Sequence, residues 1–401
     1  MNIGIDIRSL MFGRYSGVGV YTYNLLKNLF EIDSENQYFL FYNSYRDVST
    51  TLPKFEYENV KYCGFQWPNK LFNLKLALFN TPKIDLMLED YINASTLKAQ
   101  STQRQKIDLF FTPNWLFTAF SSYCKNIITI HDLSIFQQRD CFSLKQKLWH
   151  KAIKIPKLIS SADAVICVSE STKQDILDVF KTPVEKLYVV HEGIEMENFT
   201  FDKATPDDIV QKKHKISEKY FLTLSNIDPR KNIDGTIQAF ELFKKRNPES
   251  EMGLVIGGGR AWNRQYAKKI KNLVEKSPFR QDIRTLGYIS ERDKVALLRK
   301  ASAFLFPSFY EGFGLAALEA MLCEVAVVTS QLSSLPEIVE NSALLVDPFN
   351  IYEITLAMET LTQDTKYRNI LRKKGLETSQ KFSWQKTATQ TKNIFDELLK
   401  I

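Results

Sequence analysis

FPSFYEGFGLAALEAMLCEVAVV, Phe306–Val328, is the stretch whose reading decides the fold. An apolar run, Ala303–Phe306, reaches Pro307 and Ser308. A carboxylate follows at Glu311, then Gly312 and Gly314, then a helix-forming run with a second carboxylate at Glu319, then the apolar run Ala326–Val328. This spells strand, glycine turn, helix and strand in direct succession. A helix opening at such a turn aims unpaired backbone N–H groups beyond the sheet edge, and its dipole adds to their positive potential. That is an anion site, most naturally for phosphate. Glu311 cannot be the anion's partner, so a carboxylate beside phosphate points to a ligand that also carries hydroxyls, such as a sugar. If the whole segment is helical, Glu319 lies about 12 Å further along, a reach suited to the other end of a nucleotide sugar. An ordinary βα unit with a glycine-capped turn and solvated glutamates fits the same local pattern, which leaves the two readings open.

Glu311-x7-Glu319 within EGFGLAALEAM, followed by Val327–Ser330 and by SLPEIVENSALLVDP from Ser334 to Pro348, resembles the retaining family 4 glycosyltransferases of GT-B fold. Acid, glycines, second acid and following strand all keep the family spacing. The resemblance implies an α/β chain of two Rossmann-like domains facing a central cleft, with a C-terminal helix crossing back to the first domain. The expected division is 1–199 for the acceptor-binding domain, 200–382 for the nucleotide-sugar-binding domain and 383–401 for the returning helix.

Composition bounds the rest. The chain has 401 residues, 44% hydrophobic and 25% charged, enough for two separate cores. A net charge of +7 without a long basic run, zinc finger or RNP signature argues against nucleic acid. Five scattered cysteines without C-x-x-C argue against a disulfide framework and a zinc cluster, and fit a reducing compartment. MNIGIDIRSL enters a strand directly, and no apolar run approaches a membrane span, so a cytoplasmic protein with at most peripheral contact at the inner membrane face is expected.

Outward to the N-terminus, strand Asn2–Ile7 leads to FGRYSGVGVYTYNLL, where Gly13, Gly17 and Gly19 allow close backbone approach before a helix from about Val18. The third glycine of a dinucleotide fingerprint is missing. The loop is similar to the family's glycine loop, which implies that Gly17 and Gly19 approach the donor diphosphate. WPNKLFNLKLALFN, Trp67–Asn80, reads as a covering helix packed on the core rather than an acceptor groove. Ile127–His131 is a buried strand ending in His131-Asp132, where open α/β sheets bind ligands. A lone histidine is more often structural, but the resemblance implies that His131 contacts the donor sugar. Cys141–Ala162 holds five lysines and no acid. Lys147, Lys151 and Lys154 are expected on one helical face, with Pro156 breaking the helix. The bland account is a solvated face, and the sharper one a surface for anionic lipid headgroups or a lipid-diphosphate acceptor. HEGIEMENF resembles the turn between the domains, with Phe199–Pro206 as linker.

In the second half, Asp228-Pro229-Arg230-Lys231 follows strand Tyr220–Ser225, so Arg230 and Lys231 can neutralise a diphosphate, one by its planar fork and one as a point charge. Asn226 stands near the position where many relatives carry arginine. Lys231 therefore matches the family pattern, and Arg230 is a substitute. Gly287-Tyr288-Ile289 matches the turn whose backbone holds the nucleobase. No D-x-D occurs, which implies metal-independent catalysis with Arg230, Lys231 and the helix N-terminus at Gly314, Leu315 and Ala316 balancing the leaving charge. The implied catalytic residues are His131 and Glu311, with Glu319 on the ribose. The implied reaction transfers a hexose-type, mannose-like sugar with retention, from a nucleotide sugar to a glycan or lipid-linked glycan of surface polysaccharide or lipopolysaccharide. No cofactor is expected besides this co-substrate. A nucleotide-sugar epimerase of the same fold, a non-catalytic partner subunit and a glycoside hydrolase with two flanking carboxylates are the rivals.

Overall fold

The computed structural model describes residues 1–11, 13, 17–96, 104–199, 206–259 and 263–400. In chain order the elements are β1 (Asn2–Asp6), α1 (Gly17–Ile32), β2 (Gln37–Asn43), β3 (Val60–Phe65), α2 (Asn69–Phe79), α3 (Ile84–Thr96), β4 (Leu109–Thr112), β5 (Lys125–Ile130), α4 (Ser134–Gln137), α5 (Leu144–Ile153), α6 (Ile155–Ser161), β6 (Ala164–Cys167), α7 (Glu170–Phe180) and β7 (Leu187–Val189). They continue with α8 (Asp207–His214), β8 (Tyr220–Leu224), α9 (Ile233–Arg246), β9 (Gly253–Gly257), α10 (Arg264–Lys276), β10 (Ile283–Gly287), α11 (Glu291–Lys300), β11 (Ala303–Phe306) and α12 (Leu315–Leu322). The chain closes with β12 (Val327–Ser330), α13 (Leu335–Val339), β13 (Leu344–Val346), α14 (Ile351–Gln363), α15 (Thr365–Ser379) and α16 (Trp384–Leu399).

Two compact units result. One comprises Met1–Leu133, Leu144–Gly193 and Trp384–Ile401, and the other Ser134–Ser143 and Ile194–Ser383. The passage between them falls at Gly193–Ile194 rather than at 199–200, and Ser134–Ser143 belongs to the second unit. Most of the expected linker, residues 200–205, lies outside the described residues.

The first unit holds a seven-stranded sheet in the order β3-β2-β1-β4-β5-β6-β7, and every adjacent pair is parallel. Strands such as β4 (LFFT) and β6 (AVIC) are buried along their whole length, as parallel strands covered on both faces must be. Phe41, Phe72, Leu88 and Phe110 share one core cluster, and α16 packs along α1. The second unit holds six parallel strands in the order β10-β9-β8-β11-β12-β13. Its core gathers Phe221, Ile237, Phe240, Leu305 and Val328 around the sheet.

In both sheets the strand order reverses beside the unit's first strand, at β1/β4 and at β8/β11. The loops leaving two such neighbours run to opposite faces and open a crevice at their carboxyl ends, where doubly wound sheets hold ligands. Of the residues singled out in the sequence, Gly17 follows β1 and Lys231 and Glu311 follow β8 and β11, whereas His131 follows β5 and Tyr288 follows β10.

Candidate functional site

In the second unit the switch point is spanned by an ion pair. Lys231, in the turn after β8, sets its Nζ 2.6 and 2.8 Å from the two carboxylate oxygens of Glu311, in the turn after β11. The side chains are only 17% and 11% exposed, so the charges interact with little screening. The Lys231 ammonium also lies 5.1 Å from the Phe306 ring centre.

Both turns are held by their neighbours. Asn232 donates from Nδ2 to the carbonyls of Pro307 and Pro348, and the Phe309 N–H donates to the Arg230 carbonyl. Ser333 Oγ accepts from the Glu311 N–H, and Ser334 Oγ donates to the carbonyls of Glu311 and Phe313. Gly314 has φ +116°, a conformation that strains any residue with a Cβ. It places α12 behind the glutamate and offers no side chain to cap the N–H groups of Leu315 and Ala316.

Arg230 takes a different position from Lys231. Its guanidinium reaches Asp228, with Nη2 to Oδ2 at 3.1 Å, and lies 5.7 Å from the ring centre of Phe142. Asp228 Oδ1 also accepts from the Arg230 N–H, closing a short Asp-x-Arg loop.

Glu319 projects from α12 and accepts from Lys294 Nζ at 2.8 Å, while the same ammonium reaches Glu291 at 2.9 Å. Burial acts to lower the pKa of Lys294, but the carboxylates of Glu319 and Glu291 outweigh it and hold the ammonium above its usual range. The helix begins at Leu315 rather than at Glu311. Only four residues of helical rise, about 6 Å, therefore lead to Glu319, and the 12 Å reach expected for a continuous helix does not apply.

The turn at residues 287–289 is backbone-built. Ser225 N–H donates to the Gly257 carbonyl and Gly258 N–H to that of Gly287, so three successive turns are stitched together. A Cβ at Gly258 (φ +153°) would come 1.6 Å from the Ser225 carbonyl oxygen. Ile289 packs against Gly257, whereas Tyr288 is 74% exposed.

In the first unit His131 stands one residue beyond β5. Its Nε2 donates to the Pro113 carbonyl at 2.9 Å, and its Nδ1 lies 3.1 Å from Glu192 Oε1. The Tyr21 ring meets the imidazole edge-on at 4.6 Å, and its hydroxyl pairs with Thr129 Oγ1. Burial raises the Tyr21 phenol above its usual range, so it stays protonated. Gly17 is the first residue of α1, and a Cβ there would meet nothing within 4 Å. Gly19 lies inside the first turn of the helix and is buried. Phe12 and residues 14–16 of the same loop lie outside the described residues.

The three-lysine face is not formed as expected. α5 ends at Ile153, and Lys154 adopts the left-handed conformation (φ +58°) between α5 and α6. Its Nζ turns back to the Ala77 carbonyl. Pro156 does not break the helix from within but sits in the first turn of α6, where its missing N–H costs nothing.

Three partners escaped the sequence reading. Glu192 and Lys294 are separated from their carriers by 61 and 25 residues, and neither separation is a local signal. Asp228, two residues before Arg230, was visible as an acid able to cap the turn. Among the described residues no group of three or more His, Cys, Asp or Glu side chains could hold a metal ion, and no helix is long and apolar enough to cross a membrane.

Two parallel sheets with ligand-facing switch points define the GT-B class of glycosyltransferase folds. Sucrose-phosphate synthase from Thermosynechococcus elongatus superposes with a TM-score of 0.72 at 18% identity, covering 99% of each chain. WaaG, a glycosyltransferase involved in lipopolysaccharide biosynthesis, gives 0.64 at 11%, covering 98% of this chain and 99% of that one. The models described as Glycosyltransferase Family 4 and as Glycosyl transferases group 1 match residues 15–198 and 205–378. The chain is 31% identical over 269 residues to the Escherichia coli O-antigen chain mannosyltransferase B, covering 67% of this chain and 69% of the relative. It is 29% identical to the E. coli serotype-specific mannosyltransferase WbdA over 59% of this chain but only 29% of that longer protein. The chain belongs to glycosyltransferase family 4, within the group 1 glycosyl transferases, and is a glycosyltransferase.

Proposed function

We propose that this enzyme transfers a mannose-like hexose, with retention and without a metal ion, from a nucleotide-diphosphate sugar to a glycan or lipid-linked glycan of a surface polysaccharide such as O-antigen. The work is placed at the cytoplasmic face of an anionic membrane. One observation carries the reading: Lys231 and Glu311 meet at the switch point of the second unit, in a chain related to O-antigen mannosyltransferases.

The pairing supports a division of roles. A diphosphate arriving at Lys231 competes with the Glu311 carboxylate for the ammonium. Glu311, released from it, accepts from a sugar hydroxyl. Arg230 and the N–H groups of Leu315 and Ala316 add positive potential for the leaving diphosphate, Glu319 takes the ribose, and backbone at Tyr288 and Ile289 takes the base. Gly17 and Gly19 give the diphosphate backbone approach, and His131 contacts the sugar. The bond from C1 to the diphosphate oxygen breaks as the acceptor oxygen bonds C1 on the same face, and the departing phosphate takes the acceptor's proton.

The test is a transfer assay with a panel of nucleotide sugars against a lipid-linked mannosyl acceptor, with the product's anomeric configuration read by NMR. A new α-mannosidic linkage from an α-configured donor, unaffected by EDTA, is expected. Donor turnover that is independent of acceptor would replace this reading with epimerisation or hydrolysis.

A further inference from the structure

The outer side of α2 is apolar where a surface helix is ordinarily polar. Phe72 and Leu76 face the core, 1% and 4% exposed, yet Leu71, Leu74 and Leu78 at spacing i, i+3, i+7 are 46%, 52% and 63% exposed. Phe79 extends the stripe. On α5, Leu144 and Leu148 are 79% and 67% exposed, with Trp149 beside them.

The two helices border one groove. Lys154 donates to the Ala77 carbonyl, and Phe117 meets Trp149 edge-on. Between them lies a cavity of about 230 Å³, walled by Leu76, Leu78, Phe117, Phe120, Ile153 and Leu158, with Lys154 and Lys157 among its lining. Lysines dominate the two segments that border it, while Asp85 and Asp163 stand behind the lining residues Ser121 and Asn126, each held by hydrogen bonds there. Residues 59–84 and 141–162 contain nine lysines and neither Asp nor Glu. A protein partner would need its own acidic and apolar patches in register, whereas an anionic leaflet presents phosphates over alkyl chains throughout.

We propose that this face of the first unit rests on an anionic bilayer, with the exposed leucines of α2 and α5 entering the acyl region and the lysines at phosphate level. The groove takes one alkyl chain of a phosphate-bearing lipid. The inference rests on the reading of the acceptor as lipid-linked, since it gives that acceptor's lipid a seat. It also assigns Trp67–Asn80, expected to be core cover, a second side that meets lipid.

The experiment uses the full chain in co-sedimentation with vesicles of phosphatidylglycerol and phosphatidylcholine, and of phosphatidylcholine alone, at two salt concentrations. Salt-sensitive binding to the anionic vesicles alone is expected. Replacing Lys145, Lys151 and Lys157 with Gln should weaken it on the order of a hundredfold, since each lysine near such a surface gives roughly a fivefold gain. Leu74→Ser with Leu78→Ser should abolish insertion while leaving the unfolding midpoint in place, because both side chains are solvent-facing. Ala152→Trp, at an exposed position lining the groove, should leave vesicle binding intact but slow transfer to a long-chain lipid acceptor relative to a water-soluble glycan acceptor. Binding no stronger to anionic than to neutral vesicles, or displaced fully by millimolar glycerol phosphate, overturns the bilayer proposal. Equal slowing on both acceptors by Ala152→Trp overturns the groove's role. Transfer to the soluble acceptor tests the enzymatic reading separately, so failure of either can be told from failure of the other.

Discussion

The two sheets hold their candidate residues in different ways. In the second unit the charged groups come in matched pairs, Lys231 with Glu311 and Lys294 with Glu319, and each carboxylate belongs to one contiguous βα segment. In the first unit His131 instead meets one carboxylate, Glu192, one backbone carbonyl, that of Pro113, and the edge of the Tyr21 ring. There a backbone carbonyl and an aromatic edge share the holding of the side chain, where the second unit relies on opposite charges.

This contrast can be broken or sharpened by mutation. Glu311→Gln keeps an acceptor for Lys231 but removes the charge, and turnover should fall by about a hundredfold to a thousandfold with little change in the unfolding midpoint, as for other charge-stabilising groups. A near-normal rate in the folded variant would remove Glu311 from the site. Lys231→Ala should weaken nucleoside diphosphate binding by ~1.5–3 kcal/mol in calorimetric titration. Arg230→Ala should have a smaller effect, because Asp228 already holds the guanidinium. If Arg230 proves the larger, the phosphate lies on the Asp228 side of the turn. Glu192→Ala frees the imidazole of His131 and should slow turnover by less than the roughly hundredfold that a misplacement of about 1 Å can cost. Glu192→Gln, which keeps an acceptor opposite Nδ1, should recover part of the loss. A loss as deep as that of Glu311→Gln would erase the distinction between the two units. The smallest effect is expected from EDTA: initial rates should stay within error of the untreated enzyme. Activity lost to chelation and restored by Mg²⁺ would show that the cations named here do not balance the leaving charge.

Much of the fold could be read in advance because buried parallel strands announce themselves as short apolar runs, as in Ala303–Phe306 and Ala164–Cys167, separated by amphipathic helices. Glu311 and Lys231 could be named for the same reason, each standing just past such a run. Their direct contact could not, since it depends on β8 and β11 being neighbours, and strand order is not written in local periodicity. Helix ends were less legible. Side-chain spacing alone puts Lys154 on a continuous helix because it does not reveal a left-handed residue, and the break falls there rather than at Pro156. α2 misled for another reason: its leucines fit a core-facing stripe by composition, and only burial separates Phe72 from Leu71.

The stitched turns of the second unit bear on how this enzyme could be altered. Since Gly258 tolerates no side chain against Ser225 and its own N–H is committed to Gly287, the backbone at 287–289 is set by its neighbours and not by the residue at 288. Tyr288 points outward from a frame that does not need it. Residue 288 is therefore a position whose side chain, proline apart, can be varied without redrawing the loop.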